Sequence, residues 1–292
     1  MSQWRDDTRL RVRALHLALR QAGPERDALL LLVKAAIATQ LDLTNEYPQT
    51  EFFQSYVDVE IDGRVERVWL KPQAENVFTF DAATKPKLVN FDYESTLLKE
   101  MTFEKSVDDL LYQMANDKDV LGRRWAMSEL EAKAKNEADK GRITAALITS
   151  SEKDGFWRIR RAAFSTIANI YSPDPRPGQE RPAAQLPADV EQLAIRLTKD
   201  PQSLLRSDAV RLLGETKQAK FADKYLAALS DQSYTVIDDA ASALGQSKDA
   251  RAYDALIKLT NTPSWHGRIA TAGLSGLAEL GDKKAFDAGY KI

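Results

Sequence analysis

Apolar and polar residues alternate on both sides of Asp62-Gly63 in "YVDVEIDGRVERVWL". Alternation of period two predicts strands, and Asp-Gly between two such runs predicts a type I′ hairpin, because that turn needs positive φ at both central residues. Val57, Val59 and Ile61 then share one face, with Val65 and Val68 or Leu70 opposite. "NVFTFD" and "KLVNFD" follow as two further strands around a polar turn with Pro86. So small a sheet cannot bury both faces alone, and must pack on the helices after Ser106 or on N-terminal helices. From Ser106 onward the apolar spacing is helical throughout. At the other end, Leu10 and Val12 alternate with Arg, a short strand-like pattern. "ALHLALRQAGPERDALLLLVKAAIATQ" then predicts a helix, a Gly23-Pro24 break and a second helix. Three regions result: 1–40, an N-terminal helical segment; 41–105, a partial β-sandwich; and 106–292, a helical repeat domain.

The third region repeats a frame. An Asp stands nine positions before a small Ala, with Leu or Ile four positions later, at Asp117…Ala126, Asp154…Ala163, Asp200…Ala209 and Asp231…Ala240. Asn261…Ala270 repeats it with Asn. The Ala anchors are 37, 46, 31 and 30 residues apart, and the long interval holds the sixteen-residue, Pro-rich "SPDPRPGQERPAAQLP". Without that insertion, expected to be an exposed loop, 46 becomes 30, the spacing of its neighbours. Each frame fits one helix of a two-helix unit. The Asp is expected to cap the helix start, the Ala to sit at a close helix crossing, and the Leu to share its buried face. Gly214 and Gly245 are expected to end their helices with left-handed φ, and Lys217 and Lys248 to be exposed and tolerant of change. A lone hairpin cannot bury its apolar face, so the units must stack into a solenoid.

Charge narrows the function. The 41 Lys and Arg against 43 Asp and Glu give a net charge of −2, with no basic excess to cluster on phosphates, so nucleic acid is not an expected partner. There is no Cys, which excludes disulfides, thiolate zinc sites and a cysteine nucleophile. His16 and His266 are the only two His, far apart, and each is expected in an ordinary core or surface role. The longest apolar run, from Ala28, is interrupted by Lys34 and falls short of the ~20 residues of a membrane span. Acidic residues precede it, unlike a signal peptide, so neither membrane insertion nor secretion is expected, and the location inferred is cytoplasmic. Trp125, Trp157 and Trp265 fall at different offsets from the Ala anchors. They form no stacking row, and core packing is expected.

The frame resembles HEAT-type repeats. The likeness rests on the Asp, on the apolar-Arg pair before the Ala, and on the Leu. Arg123, Arg160 and Arg206 stand three before their Ala, whereas Ile237 and Gly267 depart from the pattern. That resemblance implies that these Asp and Arg residues link adjacent repeats in a ladder, a structural role.

A second resemblance lies at the β-to-helix junction. "VFTFD", Pro86, "LVNFD" and "LLKEMTFEKS" are similar to the region after the catalytic domain in zinc aminopeptidases of the aminopeptidase N type, where a β-sandwich leads into a helical domain. The likeness runs back to "TQLDLTNEYP" and forward through the repeats; "MSQWRDDTRLRVR" is similar to an earlier strand, and the stretch between it and Thr39 has no counterpart, suggesting a truncated or rearranged N-terminus. The family's chemistry needs Gly-x-Met-Glu-Asn and His-Glu-x-x-His with a downstream Glu, and neither motif is present. No residue here inherits a catalytic, cofactor-binding or zinc-binding role, so enzyme activity is left open and no cofactor is expected in this chain. "GLSGLAELG" from Gly273 is no phosphate loop; it lies in a helical repeat, where its glycines permit close packing. The resemblance implies a mainly α fold, an α-α superhelix of HEAT-like repeats behind a small β-sandwich remnant. It implies a non-catalytic region that caps or shapes a peptide-access cavity and touches protein or peptide, as a monomer. The rival is a stand-alone HEAT-repeat scaffold for protein contacts, a role supported by a family member that serves as a non-catalytic transcription-factor subunit. A HEAT-like lyase or DNA glycosylase fits less well, for want of a basic patch and Cys.

Overall fold

The computed structural model describes residues 11–16, 28–38, 54–73, 76–97, 100–172, 182–281 and 284. The fold is mainly α, with repeat-like packing of paired helices after a small β part in the chain. Among the described residues seven strands come first: β1 (Arg11–His16), β2 (Ala28–Ala38), β3 (Ser55–Ile61), β4 (Arg64–Leu70), β5 (Asn76–Asp81), β6 (Val89–Phe91) and β7 (Glu100–Phe103). Ten helices follow: α1 (Val107–Asn116), α2 (Val120–Lys133), α3 (Glu137–Lys153), α4 (Trp157–Tyr171), α5 (Ala188–Leu197), α6 (Ser203–Glu215), α7 (Ala222–Ala228), α8 (Tyr234–Ser247), α9 (Ala252–Thr260) and α10 (Arg268–Leu280). The chain divides into two compact units, Met1–Leu130 and Glu131–Ile292.

In the first unit the Asp62-Gly63 hairpin forms as expected, with φ of 48° and 86° at its two central residues. Its register pairs Val57 with Val68 and Val59 with Glu66. Val57, Val59 and Ile61 are buried, as is Leu70, but Val65 lies across from Glu60 on the other face and is 45% exposed. The strands form two sheets, ordered β4-β3-β6 and β5-β2-β1-β7. The second is mixed, because β1 and β7 run parallel. Phe80, Val89, Phe91 and Phe103 join the buried β3 and β4 residues in one core, with Trp125 of α2 packed against it.

The N-terminal helices are the clearest correction. Residues 28–38 are a strand hydrogen-bonded to β1 on one side and β5 on the other, and Ala14 to His16 continue β1. Periodicity cannot separate a strand from a helix in a run as apolar as "ALLLLVKAAIA", broken only by Lys34; partners distant in sequence decided it. The region 1–40 thus supplies strands to the sheet rather than a separate helical segment. The rest of the predicted first helix lies outside the described residues.

In the second unit α3 packs on α4, α5 on α6, α7 on α8 and α9 on α10, and the frame helices α6, α8 and α10 pack on one another. Ala163, Ala209 and Ala240 are fully buried, as are Ile167, Leu213 and Leu244; Ala126 and Leu130 are equally buried in α2. The last frame slips. Ala270 is only half-buried, and Ala272 and Gly273 take the buried small positions in α10. A 3₁₀ turn, Trp265–Gly267, intervenes after α9 and advances the helix relative to Asn261.

Gly214 and Gly245 lie inside their helices, and the left-handed residues are Lys217 and Lys248, each with φ of 53°. Their glycines serve approach instead: a Cβ on Gly214 would meet the Ala243 Cβ at 2.6 Å, and one on Gly245 would overlap the Gly276 carbonyl. Gly276 in turn sits 2.6 Å from the Ala241 carbonyl by the same measure, so α8 and α10 touch backbone to backbone. Nor is Lys248 an idle surface residue, because its Nζ donates to the carbonyls of Glu279 and Leu280 at the end of α10. Trp265 is 69% exposed rather than a core residue, and its ring meets the exposed His266 edge-on. Most of the Pro-rich insertion, residues 173–181, and the final "KKAFDAG" apart from Lys284 lie outside the described residues.

Candidate binding surface

Each frame Asp does the same local work, though two residues earlier than expected. Asp117 Oδ1 accepts from the Asp119 N–H, Asp154 Oδ1 from Phe156, Asp200 Oδ1 from Gln202 and Asp231 Oδ1 from Ser233, each at 2.8 Å. Phe156, Gln202 and Ser233 are the N-cap residues, so the Asp closes a turn two residues ahead of the helix instead of capping its first turn. The Arg six residues on grips the same turn from outside. Arg123 and Arg206 donate to the carbonyls of Asp117 and Asp200 at 2.8 Å, and Arg160 to that of Asp154 at 3.3 Å.

Two of these Arg also reach the next repeat. Arg206 holds the Asp231 carboxylate through Nε and Nη2, both at 2.8 Å, and Arg160 lies 3.7 Å from Asp200. The two-pronged bond from Arg206 holds the Asp231 carboxyl below the usual carboxylate range. The series ends at α8, where Ile237 stands in the Arg position; Arg268 makes a different bond, to Asp238.

A second row of polar links escapes the frame. Asp208, buried in α6, takes Arg161 of α4 at 2.6 Å and Arg211 at 2.7 Å, and Ser207 donates to Asp239 of α8. Burial pushes the Asp239 carboxyl up from its ordinary value. Asp208 and Asp239 stand 31 residues apart, the repeat period, so the same count that found the Ala anchors could have found them. Beside this row a groove of about 440 Å³ crosses α6, α8 and the end of α10. Arg211, Glu215, Asp239, Ser242, Gln246 and Lys248 line it, a mixture of donors and acceptors of both charges suited to polar chain rather than to one small ion.

In the first unit a different cluster fastens the sheet to α1. Asn90 of β6 donates to Glu60 of β3 at 2.6 Å and to Asp117 at 2.8 Å. Gln113 of α1 donates to Asn90 at 2.7 Å and to Asp117 at 3.1 Å. Lys105 Nζ donates to the Val89 carbonyl at 2.5 Å and to Gln113 at 2.6 Å. A Cβ on Gly122 would overlap the Asp117 carboxylate, so glycine leaves the space this cluster fills. Burial raises the Glu60 carboxyl and pulls the Lys105 ammonium down to about 8. Asp117 therefore serves both as a frame Asp and as the centre of this cluster, and only the first role is visible in the repeat.

Among the described residues no group of three or more His, Asp or Glu is placed to hold a metal, and no helix is long and apolar enough to cross a membrane.

The HEAT repeats family matches residues 190–278, from α5 into α10. No curated protein matches the sequence. Among solved structures, the chain is similar to Escherichia coli YibA, with 21% identity and a TM-score of 0.46, over 62% of this chain and 59% of that one. A designed armadillo repeat protein in complex with the peptide (KR)4 is 15% identical, with a TM-score of 0.42, over 64% of this chain and 87% of that one. Aminopeptidase A of Legionella pneumophila, in complex with aspartic acid, is 14% identical, with a TM-score of 0.41, over 91% of this chain and 31% of that one. The chain thus spans less than two thirds of YibA and less than a third of the aminopeptidase.

Proposed function

We propose that this chain is a non-catalytic, HEAT-like repeat region of a zinc-aminopeptidase-like protein, shaping access of peptides to a cavity and making protein contacts, in the cytoplasm. The junction carries the reading. The residues that resemble the family, from "VFTFD" through Pro86 and "LVNFD" to "LLKEMTFEKS", are those of β5, β6, β7 and the approach to α1. Asn90 within them is the residue that joins β3 to α1 and Asp117. A stretch that binds a sheet to the first repeat has a reason to keep its residues whatever the repeats go on to bind. The purified chain is expected to retain no stoichiometric zinc after dialysis and to leave aminoacyl-arylamides uncleaved. One tightly held zinc with turnover would overturn this, whereas a zinc motif encoded upstream of Met1 would support it.

The groove across α6, α8 and α10 favours a second reading, a stand-alone scaffold for protein contacts. Its polar side chains recur with the helices, as an extended polypeptide would require. An unrelated coding sequence upstream, together with capture of a partner that is lost on Arg211→Glu, would select this reading over the first.

A further inference from the structure

A second cavity, of about 280 Å³, lies within the first unit, between the loop after β6, strand β7 and the start of α2. It falls at the lower edge of the ~300–1,000 Å³ of ligand pockets, room for one side chain and not for a folded element. Its apolar wall is Leu97, Met101, Phe103, Leu121 and Trp125. Of its lining residues two, Asp92 and Asp119, are acidic and none is basic. Lys105 is outside the lining, with its Nζ over the rings of Phe103 and Trp125, and it donates to Val89 and Gln113. Behind Asn90 lie two further carboxylates, Glu60 and Asp117. The field is felt at Tyr93 in the lining, whose hydroxyl is raised by burial and then by Glu60, Glu94, Asp119 and Asp117.

The rim is fixed before any guest arrives. Asp92 accepts from the Thr96 N–H and hydroxyl and from the Leu97 N–H, at 3.0, 2.6 and 3.0 Å, tying down the loop over the cavity. Asp119 is the second lining carboxylate, and its Oδ1 accepts from the Leu121 N–H at 2.9 Å at the start of α2. An apolar, aromatic wall leading to a carboxylate suits an aliphatic stem ending in a cation, which aromatic faces and a carboxylate both stabilise.

We propose that this cavity receives a lysine or arginine side chain of a partner polypeptide, its stem along Met101, Phe103 and Trp125 and its charge at Asp119. Charge complementarity selects that occupant over an acidic or a purely apolar one. The inference rests on the first unit alone and is independent of the zinc-aminopeptidase reading.

Calorimetric titration of the full chain with blocked pentapeptides, Gly-Gly-X-Gly-Gly, tests it, with X as Lys, Arg, norleucine or Glu. The Lys and Arg peptides are expected to bind, more weakly as salt rises, and the norleucine and Glu peptides to give no heat. Asp119→Asn keeps a cap acceptor for Leu121, so the fold is retained, and is expected to weaken binding roughly tenfold. Trp125→Leu tests the wall and is expected to weaken the Arg peptide too. Equal binding of the norleucine peptide, binding of the Glu peptide, or an unchanged Asp119→Asn would overturn the proposal. So would silence of the Lys and Arg peptides up to ~1 mM in a chain whose circular dichroism is intact.

Discussion

The junction around Asp117 and the stack from α4 to α10 hold together by different means. At the junction, Glu60, Asn90, Gln113 and Asp117 come from β3, β6, α1 and the turn after it, and each bond is made once. In the stack the same contact recurs, Asp closing a turn and Arg reaching across, over helices of similar sequence. The difference teaches where damage spreads. A buried cluster with no spare partner fails as a unit, whereas a repeated contact fails one interface at a time.

The largest expected effect is therefore at the junction. Asp117→Ala removes one acceptor from each of the Asn90 and Gln113 amides, which keep Glu60 and Asn90, and takes the side-chain acceptor from the Asp119 N–H. At ~1–3 kcal/mol for each bond lost, a loss of about 2–5 kcal/mol is expected in chemical denaturation. A loss no greater than that of an exposed substitution would erase the contrast. Next comes Ala240→Leu, which forces extra atoms into the fully buried α8 crossing and is expected to cost ~1–3 kcal/mol, with hydrogen exchange rising on both sides of the interface. Protection lost in α8 alone would show the repeats to be uncoupled.

Arg206→Lys keeps the charge but gives up the two-pronged bond to Asp231, and a cost of about 1 kcal/mol, shrinking in high salt, is expected. The smallest change is a pH slope. Burial raises the folded-state Glu60 carboxyl above 4.5, so the stability present below that value is lost as pH rises through the raised one. Glu60→Gln is expected to match the parent at pH 4, to exceed it slightly at pH 7, and to flatten the curve between. A variant weaker than the parent at both pH values would mean that Glu60 is needed as a charge.

What sequence made legible follows the same division. The α8 frame could be read because Asp231, Ala240 and Leu244 repeat their counterparts thirty-one residues earlier, and a period needs no knowledge of partners. The hairpin could be read because Asp62-Gly63 carries its own turn geometry. Strand β2 could not, because ten apolar and small residues around Lys34 are compatible with either state until β1 and β5 flank them. Glu60 was hidden by its place in an alternating strand, where it occupies the face that water normally takes and that Asn90 occupies here. Trp265 misled in the opposite sense: size suggested burial, but the 3₁₀ turn at Trp265–Gly267, with φ of 48° at His266, holds the ring outside.

The break in the Arg series at Ile237 has a mechanical consequence. From α4 to the start of α8, neighbours are tied by charged rungs whose strength varies with dissolved ions. Between α8 and α10 the Arg268–Asp238 bond is charged as well, but beside it the fit of Gly245 and Gly276 is steric, and ions do not loosen that. Unit two thus resembles a spring wound from two materials. Dissolved ions act on its charged rungs at Arg160, Arg206 and Arg268, while the glycine contacts at Gly214, Gly245 and Gly276 set a spacing that salt does not change.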